Sequence, residues 1–209
     1  MTKQAIQDFA RQRSIPYLVH FTRTANLASI IMNGIYPVSR IGEIGVKPVI
    51  NDEWRLDGHL GGISVSIGHP NYRMFFKLRK DNPDVDWVVL CIKPSVLWTK
   101  DCAFCRHNAA DARISSQPIG ELKTTAAFAG IYEEVEGLTT RADQRLKSHD
   151  PTDAQAEILV FDAIEPNLIV GAAFETAAVL EPFKGILGDR QVIVPGTGRG
   201  PFSSRNFVR

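Results

Sequence analysis

Hydrophobic and polar positions along this chain fall into short segments, and segments of strand type outnumber long helical ones. Strict alternation over Ile63–Ile67 and an unbroken apolar run over Trp87–Ile92 predict two strands. Further strands are predicted at residues 17–21, 103–104, 156–161, 168–173 and 191–194. Because these strands are not spaced as regular β-α-β units, the pattern favours an α+β domain built on antiparallel sheets.

Helical spacing of apolar residues occurs in the first dozen residues and again around residues 27–33. A third helix is predicted to begin at Asn71, with Tyr72, Phe75 and Phe76 at positions i, i+3 and i+4. This spacing places Phe75 and Phe76 in the core. Tyr72, near the helix start, either packs there or walls a cleft.

The composition is that of one folded domain spanning residues 1–209, with 44% hydrophobic and 22% charged residues. The longest apolar runs are far shorter than the roughly 18 residues that span a bilayer, and the N-terminus carries no hydrophobic signal core. We therefore expect a cytoplasmic protein with no membrane partner. Cys102 and Cys105 form a C-x-x-C pair, but a zinc site needs two more ligands, so we expect no metal.

Charge is distributed unevenly, although the net charge is only +1. Residues 1–80 hold 11 basic and 5 acidic side chains, a balance of +6, whereas residues 81–209 hold 13 and 18, a balance of −5. The tail at residues 185–209 is also basic. A local anionic partner and a solvated basic face explain this asymmetry equally well.

The most unusual single residue is Glu157, which heads an otherwise apolar strand. A carboxylate there is costly unless it is paired or lies at an open cleft, although an edge-strand glutamate facing water is the simpler alternative. Gln155 would point to the same side of an extended segment, which places an amide beside the carboxylate.

Two other segments carry residues suited to chemistry. His20 and Thr22, separated by Phe21, lie at the end of an apolar strand, and a structural histidine is the simpler interpretation of His20. The long polar segment at residues 40–62 contains Trp54 and Arg55, which suit base stacking and phosphate contact. A solvated loop explains its charges as well.

Taken in order, these parts resemble the mono-ADP-ribosyltransferases. The strings YLVHFTRTANLASIIMNGI, NDEWRLDG, SIGHPNYRMFFKLR, FCRHNAAD and PTDAQAEILV are more narrowly similar to the DarT family of DNA ADP-ribosyltransferase toxins. The resemblance covers about residues 17–175 and implies an ADP-ribosyltransferase-like fold, with central split antiparallel sheets flanked by helices. A dinucleotide fingerprint with strand and helix context is missing from the sequence, and this scaffold does not need one.

The resemblance implies transfer of ADP-ribose from NAD+, as co-substrate, onto a base of single-stranded DNA, with release of nicotinamide. By the same resemblance the acceptor base would be thymine or guanine, and the residues leave that choice open. Protein- or RNA-directed mono-ADP-ribosylation is the alternative. A bacterial toxin of this kind also implies an antitoxin of the macrodomain type that removes ADP-ribose. We expect a monomer.

Site residues follow from the same resemblance. Glu157 would stabilise the oxocarbenium-like transition state, and Arg55 would lie near the acceptor base and the NAD+ phosphates. The implied NAD+ site comprises His20, Thr22, Ser64, Asn26 and Tyr72, with the Tyr72 ring stacked near nicotinamide. The implied DNA side comprises Gln155, Trp54, Arg73 and Asn108.

Overall fold

The computed structural model describes residues 3–45, 48–49 and 58–208, which form a seven-stranded sheet flanked by helices. Its strands are β1 (Leu18–Arg23), β2 (Ile63–Ile67), β3 (Trp87–Ile92), β4 (Cys102–Cys105), β5 (Glu157–Val160), β6 (Ile169–Phe174) and β7 (Gln191–Ile193). They lie in the order β4-β5-β2-β1-β3-β6-β7. This arrangement confirms the predicted α+β class.

The helices of the described residues are short, apart from the two ten-residue helices α1 and α3. They are α1 (Lys3–Gln12), α2 (Leu27–Asn33), α3 (Tyr72–Asp81), α4 (Val96–Thr99), α5 (Ala112–Ser115), α6 (Ile119–Leu122), α7 (Thr125–Gly130), α8 (Ala177–Leu180) and α9 (Lys184–Leu187). Helices of this length in the described part of the chain fall short of a membrane span.

The sheet is split between β1 and β2. β1 pairs with β3 along all six of its residues, whereas its pairing with β2 is confined to Leu18 opposite Ile67 and Val19 opposite Ser66. Beyond Val19 the two strands diverge. The sheet therefore consists of two halves that meet at one end of β1, as the resemblance implied.

Both faces of the central strands are buried, which explains the unbroken apolar run of β3. Val88, Leu90 and Ile92 belong to the main core, whereas Trp87 and Val89 belong to a smaller core on the opposite face. A strand covered on both sides reads as a continuous hydrophobic segment rather than an alternating one.

Helix α3 begins where the sequence predicts, because the Asn71 side chain caps it. The Oδ1 atom of Asn71 accepts a hydrogen bond from the Met74 backbone N–H at 3.2 Å. Phe75 is buried in the smaller core, as expected. The expectation for Phe76 is wrong, because its side chain is 63% exposed on the outer face of α3.

One strand pair departs from the antiparallel expectation. β7 lies parallel to β6 at the edge of the sheet, with Gly171 opposite Gln191. The segment between them contains α8 and α9, which form a crossover, and parallel neighbours require such a connection. Part of the basic tail is therefore built into the sheet.

Candidate active site

A cavity opens beside the split between β1 and β2. It is lined in part by the short helical segment Val38–Ile44 and by residues of α2, α3 and the two diverging strands. Six residues predicted from the sequence meet in its wall: His20, Thr22, Asn26, Ser64, Asn108 and Glu157.

Glu157 is the first residue of β5 and is 6% exposed. Its carboxylate accepts two side-chain hydrogen bonds, one from Ser64 Oγ at 2.8 Å and one from Asn108 Nδ2. Burying a carboxylate is costly, and donors that bind its charged form offset that cost. These two bonds hold the carboxylate in one position in the cavity wall.

His20 bridges the two halves of the sheet. Its Nδ1 atom lies 2.9 Å from the backbone carbonyl oxygen of Ser64 on β2. A carbonyl oxygen only accepts, so Nδ1 carries the hydrogen of this contact. Ser64 thus contacts His20 through its backbone and Glu157 through its side chain.

Asn26 holds the cavity wall together. Its Nδ2 donates to Thr22 Oγ1 at 3.0 Å and to the Val49 carbonyl oxygen at 2.9 Å, and its Oδ1 accepts from the Val49 N–H at 2.9 Å. Both amide hydrogens are therefore used within the protein. Direct contact of Asn26 with NAD+ remains a prediction that this geometry does not favour, and Asn26 acts here as a positioning residue.

A buried histidine–aspartate pair lies behind the site, and the sequence interpretation did not single it out. His107 Nδ1 lies 2.7 Å from Asp153 Oδ2, and both residues are buried. Asn108, which contacts Glu157, directly follows His107. The pair therefore ties the segment that carries Asn108 to the segment that leads into Glu157. The two residues are 46 positions apart, so no local pattern indicates their contact.

The segment before Glu157 is a turn, which corrects the extended conformation expected for Gln155. The Gln155 backbone N–H donates to Asp153 Oδ1 at 2.9 Å, and the Ala156 N–H donates to the Asp153 carbonyl oxygen at 3.1 Å. Asp153 thus closes the turn with its side chain and its backbone. Gln155 does not share a strand face with Glu157, since β5 begins only at residue 157.

Two arginines clamp the start of this turn. Arg205, 3% exposed, donates to the carbonyl oxygens of Pro151 at 2.7 Å and Thr152 at 3.3 Å. Arg141 donates to the Asp150 carbonyl oxygen at 2.7 Å and to Thr152 Oγ1 at 3.0 Å. A residue of the basic tail therefore fixes the segment that leads into Glu157, although it lies 54 positions from Pro151 in the sequence.

The remaining predicted site residues are placed elsewhere. Tyr72 and Arg73 line a second cavity, on the other side of α3. The predicted stacking of Tyr72 on nicotinamide remains a prediction that this placement does not favour. Trp54 and Arg55 lie outside the described residues, and their roles also stay predictions.

Two of the three cysteines, Cys102 and Cys105, are buried. Burial raises the pKa of the Cys102 thiol to about 12, so this thiol is protonated at neutral pH in the structure as described. Within residues 3–45, 48–49 and 58–208, no group of three or more histidine, cysteine, aspartate or glutamate side chains is arranged to hold a metal ion.

Comparison with solved structures shows the same fold. Thermus sp. 2.9 DarT in complex with ADP-ribosylated ssDNA aligns with a TM-score of 0.57 at 13% identity, over 91% of this chain and 97% of that chain. The same protein in complex with NAD+ aligns with a TM-score of 0.54 at 13% identity, over 91% and 98%.

A longer protein, Thermosipho africanus DarTG in complex with ADP-ribose, aligns with a TM-score of 0.55 at 16% identity. The alignment covers 86% of this chain and 50% of that one, so the chain spans about half the length of the Thermosipho protein. No curated protein matches the chain.

A family model provides the sequence comparison. The model described as "ssDNA thymidine ADP-ribosyltransferase, DarT" matches residues 19–196, which include the predicted site residues from His20 to Glu157. This match covers most of the chain and confirms the resemblance seen in its motifs. The chain therefore belongs to the DarT family of ssDNA ADP-ribosyltransferases.

Proposed function

We propose that this protein transfers ADP-ribose from NAD+ to a base of single-stranded DNA and releases nicotinamide. The observation that carries the proposal is the buried Glu157 carboxylate, held by Ser64 and Asn108 in the wall of the cavity beside the split sheet. The family match and the structural likeness to NAD+ and ssDNA complexes of Thermus DarT support the same reaction.

In this reaction the bond between nicotinamide and the anomeric carbon of its ribose breaks, and nicotinamide leaves with the bonding electrons. A nitrogen of the acceptor base then bonds to that carbon and releases its proton to water. Positive charge develops on the ribose in between. A fixed carboxylate in a site of low polarity stabilises this charge more than it stabilises the neutral ribose of the ground state, which is the condition for catalysis.

The protein prepares the carboxylate in advance. Because Ser64 and Asn108 already hold Glu157 in place, little reorganisation is needed when charge develops. His20, fixed by the Ser64 carbonyl, presents its ring to the same cavity, where we place the ribose and amide groups of NAD+. We assign Arg55 to the acceptor base and the NAD+ phosphates, on the resemblance alone.

For the acceptor we propose thymidine first, since the matching family description names it, with guanosine as the alternative. Gln155 and Trp54 are assigned to the acceptor side on the resemblance. Oligonucleotides in which thymine or guanine is the only candidate acceptor would show which of the two bases is modified. Acceptors of protein or RNA remain the competing function.

We further propose that the protein is a toxin, opposed by an antitoxin that removes ADP-ribose from DNA. A DarTG protein among the structural matches supports a paired system. We also propose that the protein acts as a monomer, which light scattering would test. Both substrates occur in the bacterial cytoplasm, where we place the reaction.

The test is to incubate the purified protein with NAD+ and mixed-sequence single-stranded DNA and to measure the intact mass of the DNA. We expect a gain of one ADP-ribose unit, reduced about 100-fold or more in rate by Glu157→Gln. Glu181→Gln is the matched control, since its side chain is 68% exposed on the surface. A gain that Glu157→Gln leaves intact would overturn the mechanism. If only added protein or RNA gained mass, DNA would be the wrong acceptor and that molecule the right one.

A further inference from the structure

We propose that the second cavity, between α3 and the C-terminal tail, binds a nucleotide of the single-stranded DNA that flanks the acceptor base. This inference rests on the proposed function and adds a separate DNA site to it. The cavity is lined on the helix side by Tyr72, Arg73 and Phe76 and on the tail side by Pro201, Ser203 and Ser204.

Helix α3 separates this cavity from the NAD+ cavity. Asn71 and Met74 line the NAD+ cavity, whereas Tyr72, Arg73 and Phe76 face the second one. On a helix these two sets lie on opposite sides. The two cavities are thus about one helix diameter apart, ~10 Å. In this proposal, a strand whose acceptor base enters the first cavity continues across α3 to the second.

The exposure of Phe76 is the first observation that points to a ligand. Its side chain is 63% exposed, although it is large and apolar and contributes little to the core from that position. Tyr72 lies one turn before it on the same face. Aromatic faces of this kind are the usual stacking platforms for the bases of single-stranded nucleic acid, and stacking does not depend on base identity.

The charge of the same helix face is the second observation. Arg73 and Lys80 are exposed beside Phe76, and no described carboxylate forms an ion pair with either of them. Ser204 Oγ accepts a hydrogen bond from the Asn206 N–H at 3.3 Å, and none of the described residues accepts its own hydroxyl hydrogen. Cations and a hydroxyl donor around an aromatic face match the chemistry of a nucleotide, with its base and its phosphate.

The tail wall of the cavity is held rigidly, so the cavity is preformed. Arg79 donates to the Phe202 carbonyl oxygen at 2.8 Å, and the His69 ring lies 3.1 Å from the Ser203 carbonyl oxygen. Arg79 also pairs with Glu175, which accepts a hydrogen bond from the Gly198 N–H at 3.0 Å. A site that exists before binding loses less entropy when its ligand binds.

The test measures binding of a fluorescent single-stranded oligonucleotide by anisotropy, without NAD+. We expect Phe76→Ala to raise the Kd about 10-fold, as loss of one stacked base does. Arg73→Gln should make the negative slope of log association constant against log salt concentration shallower by about 0.7, the value for one phosphate contact on a single strand. The KM for NAD+ should stay within about twofold of wild type, and since both side chains are exposed, the melting temperature should not change.

The matched controls lie on the opposite face of the sheet. Ile186→Ala removes a partly exposed apolar side chain on α9, and Arg11→Gln removes an exposed cation on α1. Both should bind DNA as wild type does. A second arm removes nucleotides one at a time on either side of the acceptor. Shortening the oligonucleotide on one side of the acceptor should weaken its binding to wild type down to the affinity of Phe76→Ala. The affinity of Phe76→Ala itself should not change.

If Phe76→Ala and Arg73→Gln bind DNA as the controls do, the inference is overturned, and a protein partner becomes the better occupant. Transfer of ADP-ribose by the wild type is measured separately by DNA mass. If the wild type transfers ADP-ribose but the variants bind DNA as wild type does, the flanking site is refuted and the proposed function stands. Absence of transfer refutes the proposed function, whatever the variants do.

Discussion

Asn108 provides the sharpest test of how the site works, because it contacts Glu157 directly and lies in the cavity wall. Its Nδ2 donates to the Glu157 carboxylate, and its Oδ1 accepts from the Ala110 N–H at 3.0 Å. Asn108→Ala removes both bonds. Asn108→Asp keeps an acceptor for Ala110 but replaces the donor that faces Glu157, so it isolates the contact with the carboxylate.

The magnitude follows from the bond that is lost. A hydrogen bond to a charged group contributes about 1.5–3 kcal/mol, and Ser64 remains as the second donor to Glu157. At 1.36 kcal/mol per tenfold change in rate, Asn108→Ala should lower kcat roughly 10- to 150-fold. The KM for NAD+ should change less, because the contact matters most when positive charge develops on the ribose.

Asn108→Asp should show a defect that depends on pH. Two carboxylates about 4 Å apart repel by about 4 kcal/mol at an effective dielectric constant of 20, so one of them tends to hold a proton. As the pH falls, the introduced acid becomes protonated and again donates to Glu157. We therefore expect the activity of this variant, relative to wild type, to rise from pH 8 to pH 5.5.

The assay is the initial rate of ADP-ribose transfer to DNA, measured by mass at saturating NAD+ across that pH range. Asn167→Ala, at an exposed position, is the control and should match wild type. A rate for Asn108→Ala within twofold of wild type would refute the view that Asn108 positions Glu157. A defect of Asn108→Asp that is constant with pH would refute the electrostatic part of the reasoning.

Three further predictions concern stability. Arg205→Ala leaves the buried Pro151 carbonyl oxygen without its donor and leaves the Thr152 carbonyl oxygen with Gln144 alone. We expect the free energy of unfolding to fall by about 2–3 kcal/mol and the melting temperature by about 5–10 °C in calorimetry, and an unchanged melting temperature would exclude a clamp role for the tail. Asn71→Ala should lower the free energy of unfolding by about 1 kcal/mol because the helix cap is lost, whereas Asn71→Ser keeps a capping oxygen and should melt as wild type does. Equal losses of stability in the two variants would argue against capping. Although burial alone would raise the pKa of Asp162, bonds from the Ala163 N–H, Arg40 and Lys100 lower it. In denaturant titrations, wild type should therefore have a larger free energy of unfolding than Asp162→Asn above about pH 4, and this difference should decline as the pH falls below about 4. A difference that is constant from about pH 3 to pH 7 would contradict this expectation.

Much of the fold could be predicted from the sequence, because its strands and its longest internal helix depend on local patterns. β3 is recognisable from its apolar run, and α3 from the capping residue Asn71. The exposure of Phe76 could not be predicted, because helical spacing shows that residues share a side without showing what covers that side. Gln155 was misplaced for a similar reason, since the turn that contains it depends on Asp153.

The site itself was only partly visible in the sequence. His20, Ser64, Asn108 and Glu157, all singled out from the sequence, line one cavity, whereas the residues that hold them in place were not predicted. His107 contacts Asp153 across 46 positions, and Arg205 contacts Pro151 across 54. Contacts at such separations leave no periodic pattern along the chain, and each partner alone has the appearance of an ordinary surface charge.

Glu157 shows where sequence reasoning is strongest. A carboxylate at the head of an apolar strand is improbable on energetic grounds alone, because burial of its charge costs several kcal/mol unless donors surround it. The sequence therefore identifies Glu157 as a carboxylate whose burial is unfavourable, and the structure shows two donors, Ser64 and Asn108, that offset this free-energy cost. In the reaction that we propose, the same donors also hold the carboxylate where positive charge develops on the ribose. One pair of hydrogen bonds would then serve both the fold and the reaction, so we expect variants of either donor to weaken stability and catalysis together.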